Sequence, residues 1–305
     1  MDDKMFEKRI KNGRCSCPYL PCPLHGNCVA CAAKEIRNGG FPSCIEAMVE
    51  EFGGCLERKR PKKTMICDTF EEMSRESAKL VAAAVQEKPD ALLCLAAGNT
   101  AIRTYEILKE MKDRGEVDFS HARFVQLDEW LDLEDTDENC SAFLHKYFFD
   151  PLEIREDQLM MFNINAEDLD DECYRMDDYI ENAGNIDCML LGVGMNGHIA
   201  LNEPGDNFDS GTKVVELSET TKKVGQKYFS DKTNLSRGIT LGMRQVFAAK
   251  QVILQAGTKS KAEIMAKVYA SLPQIGLPAT VLFLVEDGIV VMDQDAASMI
   301  EKVEL

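Results

Sequence analysis

The 305-residue chain contains no continuous apolar run of about 18 residues, so it offers no helix long and apolar enough to span a bilayer. Its start, Met1-Asp-Asp-Lys-Met-Phe-Glu-Lys-Arg9, carries charge where a signal peptide needs an apolar stretch. These two absences predict a soluble, unexported, cytoplasmic protein. Basic charge is also short: 35 Lys and Arg face 52 Asp and Glu, for a net charge of -17. An acidic chain repels nucleic acid and anionic membrane, which excludes both as expected partners. Neither a nucleotide P-loop nor a dinucleotide-binding glycine fingerprint is present, so neither cofactor is implied. Tryptophan occurs once, at Trp130.

What is abundant is cysteine, twelve in all, and it is unevenly spread. Seven fall between Cys15 and Cys55, while Cys67, Cys94, Cys140, Cys173 and Cys188 are scattered through apolar surroundings and read as reduced core thiols. Uneven spacing in a long chain without an export signal argues against a disulfide scaffold. In the head, Cys22-x2-His25-x2-Cys28-x2-Cys31, with Cys15 and Cys17 nearby, sets soft ligands at intervals that can fold around one structural zinc ion; an iron-sulfur cluster and unmetallated thiols are the other readings, and the ligand set stays open. The basic, proline-bearing stretch Glu57 to Lys63 reads as a linker. This divides the chain into a small cysteine-rich domain, 1–58, and a larger domain, 59–305. Residues 1–63 carry 12 Lys/Arg against 8 Asp/Glu and the rest 23 against 44, so the acidity belongs to the body. A phosphorylated ligand there needs a few locally placed cations or amides.

From Met65 onward, helical and strand patterns alternate. Strands are expected at Ala91 to Ala96, Arg123 to Leu127, Ile186 to Val193, Gln251 to Ala256 and Thr280 to Val285. Helices are expected at Thr69 to Glu87, Thr100 to Lys112, Ser141 to Phe149, Asp168 to Asn182, Thr220 to Tyr228 and Lys259 to Ala270. Near-continuous apolar strands are those covered on both faces. The pattern predicts an α/β fold: an open, doubly wound, mostly parallel sheet with flanking helices. In such folds ligands sit at the carboxyl ends of strands.

Three loops leave those ends. Ala97-Gly98-Asn99-Thr100 joins a strand to a helix through a glycine turn, an arrangement that either caps the helix or binds an anion. Asp128-Glu129-Trp130 places two acids after an apolar strand; an acid there either caps a corner or removes a proton from carbon beside a carbonyl. Gly192 to Glu203 gathers three glycines, Asn196, His198, Asn202 and Glu203. Glycine lets backbone approach a ligand, His198 can shuttle protons near neutral pH, and Glu203 can orient it. This density of chemistry marks the third loop as a catalytic centre.

The segment Leu191-Gly-Val-Gly-Met-Asn-Gly-His-Ile-Ala-Leu-Asn-Glu-Pro204 resembles the signature of the glucosamine-6-phosphate deaminase and galactosamine-6-phosphate deaminase/isomerase family. Leu95 to Thr100, Val125 to Trp130, Ser141 to Asp150 and Ser236 to Gly242 support the resemblance in the family's order, over about residues 65 to 290. It implies ring opening of a hexosamine 6-phosphate, proton transfer from C2 to C1, and release of ammonia to leave a ketose 6-phosphate, without a catalytic cofactor. It implies Asp128 as the base at C2, and His198, partnered by Glu203, as the acid at the ring oxygen. Gly98, Asn99 and Thr100, with Lys227 and Lys261 as cations, would hold the phosphate. Lys259 is the alternative to Lys261. A homo-oligomer is likewise implied.

Departures bear on the substrate. Asn196 stands where the glucosamine enzymes usually carry an aspartate, and an amide takes no proton. Asn196 and the Ser236 to Gly242 run favour galactosamine 6-phosphate over glucosamine 6-phosphate. Lys227 replaces an arginine fork by a point charge. The acidic stretch Gly205 to Asp209 repels phosphate where allosteric members bind an acetylated sugar phosphate. Two other readings stand beside the deaminase: a 6-phosphogluconolactonase-like hydrolase, and a sugar-phosphate-binding regulator that has lost turnover.

Overall fold

The computed structural model describes residues 61–133 and 136–300. The expected zinc ligands Cys15, Cys17, Cys22, His25, Cys28 and Cys31, and the division at 58/59, lie outside the described residues. Among the described residues, no group of three or more His, Cys, Asp or Glu side chains is placed to hold a metal ion.

The described chain opens with strand β1 (Lys63–Cys67) and helix α1 (Phe70–Glu87). Thr69 caps α1 by accepting from the Glu72 amide at 3.1 Å, and Glu71 and Glu72 complement the helix dipole in the first turn. Met73, Ser77, Val81 and Val85 form its buried stripe. The helix stops at Lys88, whose successor Pro89 disfavours helical backbone. Then come β2 (Leu92–Leu95), α2 (Asn99–Asp113), β3 (Arg123–Gln126), β4 (Asp128–Trp130) and α3 (Cys140–Leu144). A π-helical turn, His145–Phe149, prolongs α3. β5 (Leu159–Met160), α4 (Leu169–Asn182), β6 (Cys188–Leu191), β7 (Lys213–Glu216) and α5 (Glu219–Gly225) follow. The described chain is completed by β8 (Arg237–Thr240), α6 (Met243–Ala248), β9 (Gln251–Ala256), α7 (Ala262–Ala270), β10 (Gly288–Asp293) and α8 (Gln294–Ala297).

Seven strands form a parallel sheet in the order β1-β10-β9-β6-β2-β3-β5. Its central strands are buried on both faces. Leu92, Cys94, Met189, Leu191, Val252 and Leu254 pack with residues of α4 and α7 on one side. Leu93, Leu95, Cys188, Leu190 and Ile253 pack with residues of α1 and α2 on the other. This is the doubly wound arrangement expected from the apolar runs. A second, three-stranded antiparallel sheet, β4-β8-β7, stands beside it. The strand continuing from β3 passes into it with only Leu127 between. Cys67, Cys94, Cys140, Cys173 and Cys188 are free and buried.

One expected strand is corrected. Thr280 to Val285 belongs largely to a 3-10 helix, Pro278–Phe283, with proline in its first turn. The run is buried all round, and a fully buried apolar stretch carries no period that separates strand from helix. The sheet strand in this region is β10, and β1, β4, β5, β7 and β8 are further strands absent from the expected set. No helix among the described residues is long and apolar enough to cross a membrane.

Candidate active site

β2 lies between β6 and β3, so the loops leaving their carboxyl ends meet over the centre of the sheet. They line a cavity of about 160 Å³. Gly98, Asn99 and Thr100 form one wall, Asp128 and Trp130 another, and Gly192, Gly194 and His198 a third. Lys227 and Lys261 also line it, which brings together residues singled out from five separate stretches of sequence.

The first wall is the start of α2. Gly98 occupies its cap position without a side-chain capping bond, and no acid sits in the first turn. Ala101 donates its amide to the Gly98 carbonyl at 2.9 Å, and the Asn99 and Thr100 amides ahead of it keep their hydrogen-bonding capacity for an anion. The loop is pinned by two side chains, Tyr105 from outside the cavity and Gln255 from its lining. Tyr105 donates from its hydroxyl to the Ala96 carbonyl at 2.6 Å, and Gln255 donates to the Thr100 carbonyl at 3.3 Å while accepting from Thr104 at 3.0 Å.

The two acids of the second loop do different things. Glu129 is almost fully buried and accepts from Gln126 and from the amides of Trp130, Cys140 and Ser141, at 2.8 to 2.9 Å. It ties β4 to the start of α3. Asp128 faces the cavity without such partners. Burial, and next the neighbouring Glu129, push its carboxyl up to about 7, against a smaller opposing effect of Cys140. A carboxyl with that affinity takes and releases a proton near neutral pH.

The third loop turns tightly. Gly197 has φ +86°, and a Cβ there would lie 2.2 Å from Leu277 Cδ1. Ala200 also has positive φ, at 53°, inside the bridge between Ile199 and Asn202. Asn202, wholly buried, donates to the carbonyls of Ile199 (3.2 Å) and Leu241 (2.9 Å) and so holds that strained turn. The turn brings Glu203 back to His198, whose Nδ1 lies 3.7 Å from Glu203 Oε2. Asn196 donates to Glu203 Oε2 at 2.7 Å and accepts from the His198 amide at 3.2 Å. Burial opposes ionisation of Glu203, but His198, Thr221 and Asn196 together hold its carboxyl down at about 2. Glu203 and Asn196 do not line the cavity; the imidazole does.

Lys261 donates to the Val193 carbonyl at 2.6 Å, and burial, then the charge of Lys227, bring its ammonium down to about 8. Burial also lowers Lys227, which lies 4.9 Å from the Tyr228 ring centroid. Lys259 is absent from the cavity lining. Three participants escaped the sequence reading: Thr221, hydrogen-bonded to both His198 and Glu203; Tyr228, whose hydroxyl would lie 3.8 Å from a Cβ on Gly98; and Gln255. Hydroxyl and amide residues inside helical or strand patterns carry no signal of their own.

A family profile described as glucosamine-6-phosphate isomerases/6-phosphogluconolactonase matches residues 67–290. The chain belongs to this family. A glucosamine-6-phosphate deaminase of Thermoanaerobacter sp. (strain X514) is 37% identical over 245 residues, covering 80% of this chain and 97% of that protein. A solved structure described as a monomeric glucosamine-6-phosphate deaminase superposes with TM-score 0.74 at 34% identity, over 78% of this chain and 99% of its own. The 6-phosphogluconolactonase of Trypanosoma brucei reaches TM-score 0.61 at 18% identity, covering 78% of this chain and 98% of that one; it shares the fold. As a member of this family the chain is an enzyme.

Proposed function

We propose that the chain converts a hexosamine 6-phosphate into a ketose 6-phosphate and ammonia. The observation that carries this reading is one cavity holding Asp128, His198, the start of α2 and two lysines. On this reading Asp128 removes the C2 proton and returns it at C1. His198, backed by Glu203, protonates the ring oxygen to open the sugar. The α2 amides with Lys227 and Lys261 hold the phosphate, which leaves the reacting carbons to the two proton-handling groups. No step requires a metal or organic cofactor.

Glucosamine 6-phosphate is the substrate placed first, since the similar proteins bear that name. Galactosamine 6-phosphate, favoured by the sequence departures, is placed second: Asn196 bonds Glu203 and is absent from the cavity lining, so it offers no contact that would select the C4 epimer. The deciding assay supplies both sugars and 6-phosphogluconolactone to purified protein and measures ammonia and ketose phosphate. Ammonia release from either hexosamine phosphate supports the proposal. Lactone hydrolysis alone would replace it with the hydrolase reading, and tight binding without turnover with the regulator. The proposed homo-oligomer is tested by light scattering; a single-chain mass removes it.

Three outcomes are expected of the active enzyme. First, kcat/KM should be confined to a narrow window: it falls as pH drops through about 7, where Asp128 gains its proton, and again above about 8, where Lys261 loses its charge. A flat profile from pH 6 to 9 would contradict both assignments. Second, Lys261→Met should raise KM about tenfold or more with a smaller change in kcat, because it removes a charge-assisted phosphate contact. Inorganic phosphate should inhibit this variant less strongly than the parent. Third, N-acetylglucosamine 6-phosphate should not activate the enzyme at subsaturating substrate. Asp206, in the stretch where allosteric members bind that sugar, accepts from the Glu203 amide at 2.8 Å and pairs with Lys213 at 2.8 Å.

A further inference from the structure

We infer that Thr221 is a positioning residue that fixes a proton on Nδ1 of His198 and leaves Nε2 as the atom through which protons pass. The inference rests on the proposed role of His198 in ring opening.

Thr221 is buried in α5, and its Oγ1 has three neighbours within hydrogen-bond reach: Glu203 Oε1, Ser218 Oγ at 3.1 Å and His198 Nδ1 at 3.2 Å. A hydroxyl has one proton and two lone pairs. Glu203 also receives hydrogen bonds from Asn196 Nδ2 at 2.7 Å and the Ser218 amide at 3.4 Å, an environment that suits an ionised carboxylate. An ionised carboxylate only accepts, so the Thr221 proton goes to Glu203. The lone pairs then serve Ser218 Oγ–H and His198 Nδ1. An Nδ1 facing a lone pair must carry hydrogen, and this network assigns the tautomer.

Distance supports a bridge rather than direct contact. Glu203 lies 3.7 Å from Nδ1, beyond hydrogen-bond length, while the hydroxyl spans the two. The opposite edge of the ring runs along Gly194, where a Cβ would come within 2.3 Å of Nε2 and Cδ2. With Nδ1–H engaged in both charge states, the proton added to form imidazolium sits on Nε2. That proton is the one delivered to the sugar ring oxygen, and the neutral ring left behind keeps its Nδ1–H.

The test combines Thr221→Val and Thr221→Ser with nitrogen-15 NMR of the imidazole, the His198 signal being identified by its loss in His198→Asn. In the unaltered chain, neutral His198 should show the Nδ1–H tautomer. Valine keeps the shape without the hydroxyl; it should lower kcat about tenfold to a hundredfold with little change in KM, and should lose that tautomer's dominance. Serine should restore most of both. An Nε2–H tautomer in the unaltered chain overturns the inference, as does a valine variant with unchanged kcat. Should valine prevent folding, the unaltered and serine spectra still decide. If the unaltered chain turns over neither hexosamine phosphate, the proposed activity fails, while the tautomer is read independently.

Discussion

Asp128→Asn is expected to lower kcat by about 10²- to 10⁴-fold while sugar-phosphate binding stays within about threefold. The substitution keeps size and polarity but removes the lone proton acceptor of that wall, and on the proposed assignment the phosphate would be held elsewhere, by the start of α2 and the two lysines that line the cavity. Steady-state kinetics paired with calorimetric titration of substrate separate the two effects. An unaffected rate would remove Asp128 as the base. The same variant should be the more stable protein at pH 8. In the folded chain Asp128 holds its proton up to about 7, against an ordinary value of 3.8. Between those values the native state binds a proton that the unfolded chain has lost. Stability therefore falls as pH rises through that window and stays reduced above it. Asparagine has no such dependence. Its gain in melting temperature should be visible at pH 8 and shrink towards pH 4; equal melting at both would mean that Asp128 ionises without cost.

Gly194→Ala is the second variant with a large expected effect, a loss of about 100-fold or more in kcat. The glycine here answers to space, since a methyl at 194 would overlap Cδ2, Nε2 and Cε1 of His198, at 2.3 to 2.5 Å. The ring cannot retreat freely, because its other edge is engaged with Thr221, which is itself tied to Glu203. It must rotate off its proton-transfer geometry, or the strand-end loop must shift. Gly192→Ala supplies the contrast for the imidazole: a Cβ there meets no protein atom within 4 Å, so its loss in kcat should be at least about tenfold smaller, and because Gly192 lines the cavity any effect of its methyl on the substrate should fall on KM. Equal losses in both variants would mean that the loop needs flexibility in general, rather than room for the imidazole.

Much of this site was legible in the sequence because its parts follow apolar strands. Leu92–Leu95, Arg123–Gln126 and Cys188–Leu191 announce themselves by composition, and the chemistry sits in the few residues after each. The run at Thr280 was misread because complete burial erases periodicity. β1 and β10 show another limit: Lys63–Cys67 begins with charge, and Gly288–Asp293 is bounded by it, so neither stands out as a strand before the sheet aligns them in parallel register. Thr221 was out of reach for a different reason. It lies 18 positions beyond Glu203, in a helix whose pattern records burial alone, and only the fold carries its hydroxyl to the imidazole. The division of labour between adjacent Asp128 and Glu129 was equally hidden, because it is set by backbone amides contributed from residues 130, 140 and 141.

Leu127 joins two sheets, and Asp128 hangs just past that seam. Leu127 packs in the core beneath the parallel sheet, whereas Trp130, three residues on, packs with Leu201, Leu217 and Leu235 around the antiparallel one. Asp128 itself pairs with Thr240 on β8. The aim of its carboxyl is thus set by two sheets that share one core cluster, which takes in Ile239 of β8 as well as Leu127, and a fault in either is transmitted to it. At Gly238, opposite Trp130 and absent from the cavity lining, an added Cβ would lie 2.3 Å from Leu201 Cδ1 and 3.1 Å from the Glu129 carbonyl. Errors of that kind would detune the enzyme from outside the cavity lining, so fragility of function here extends well beyond the residues that would touch the sugar.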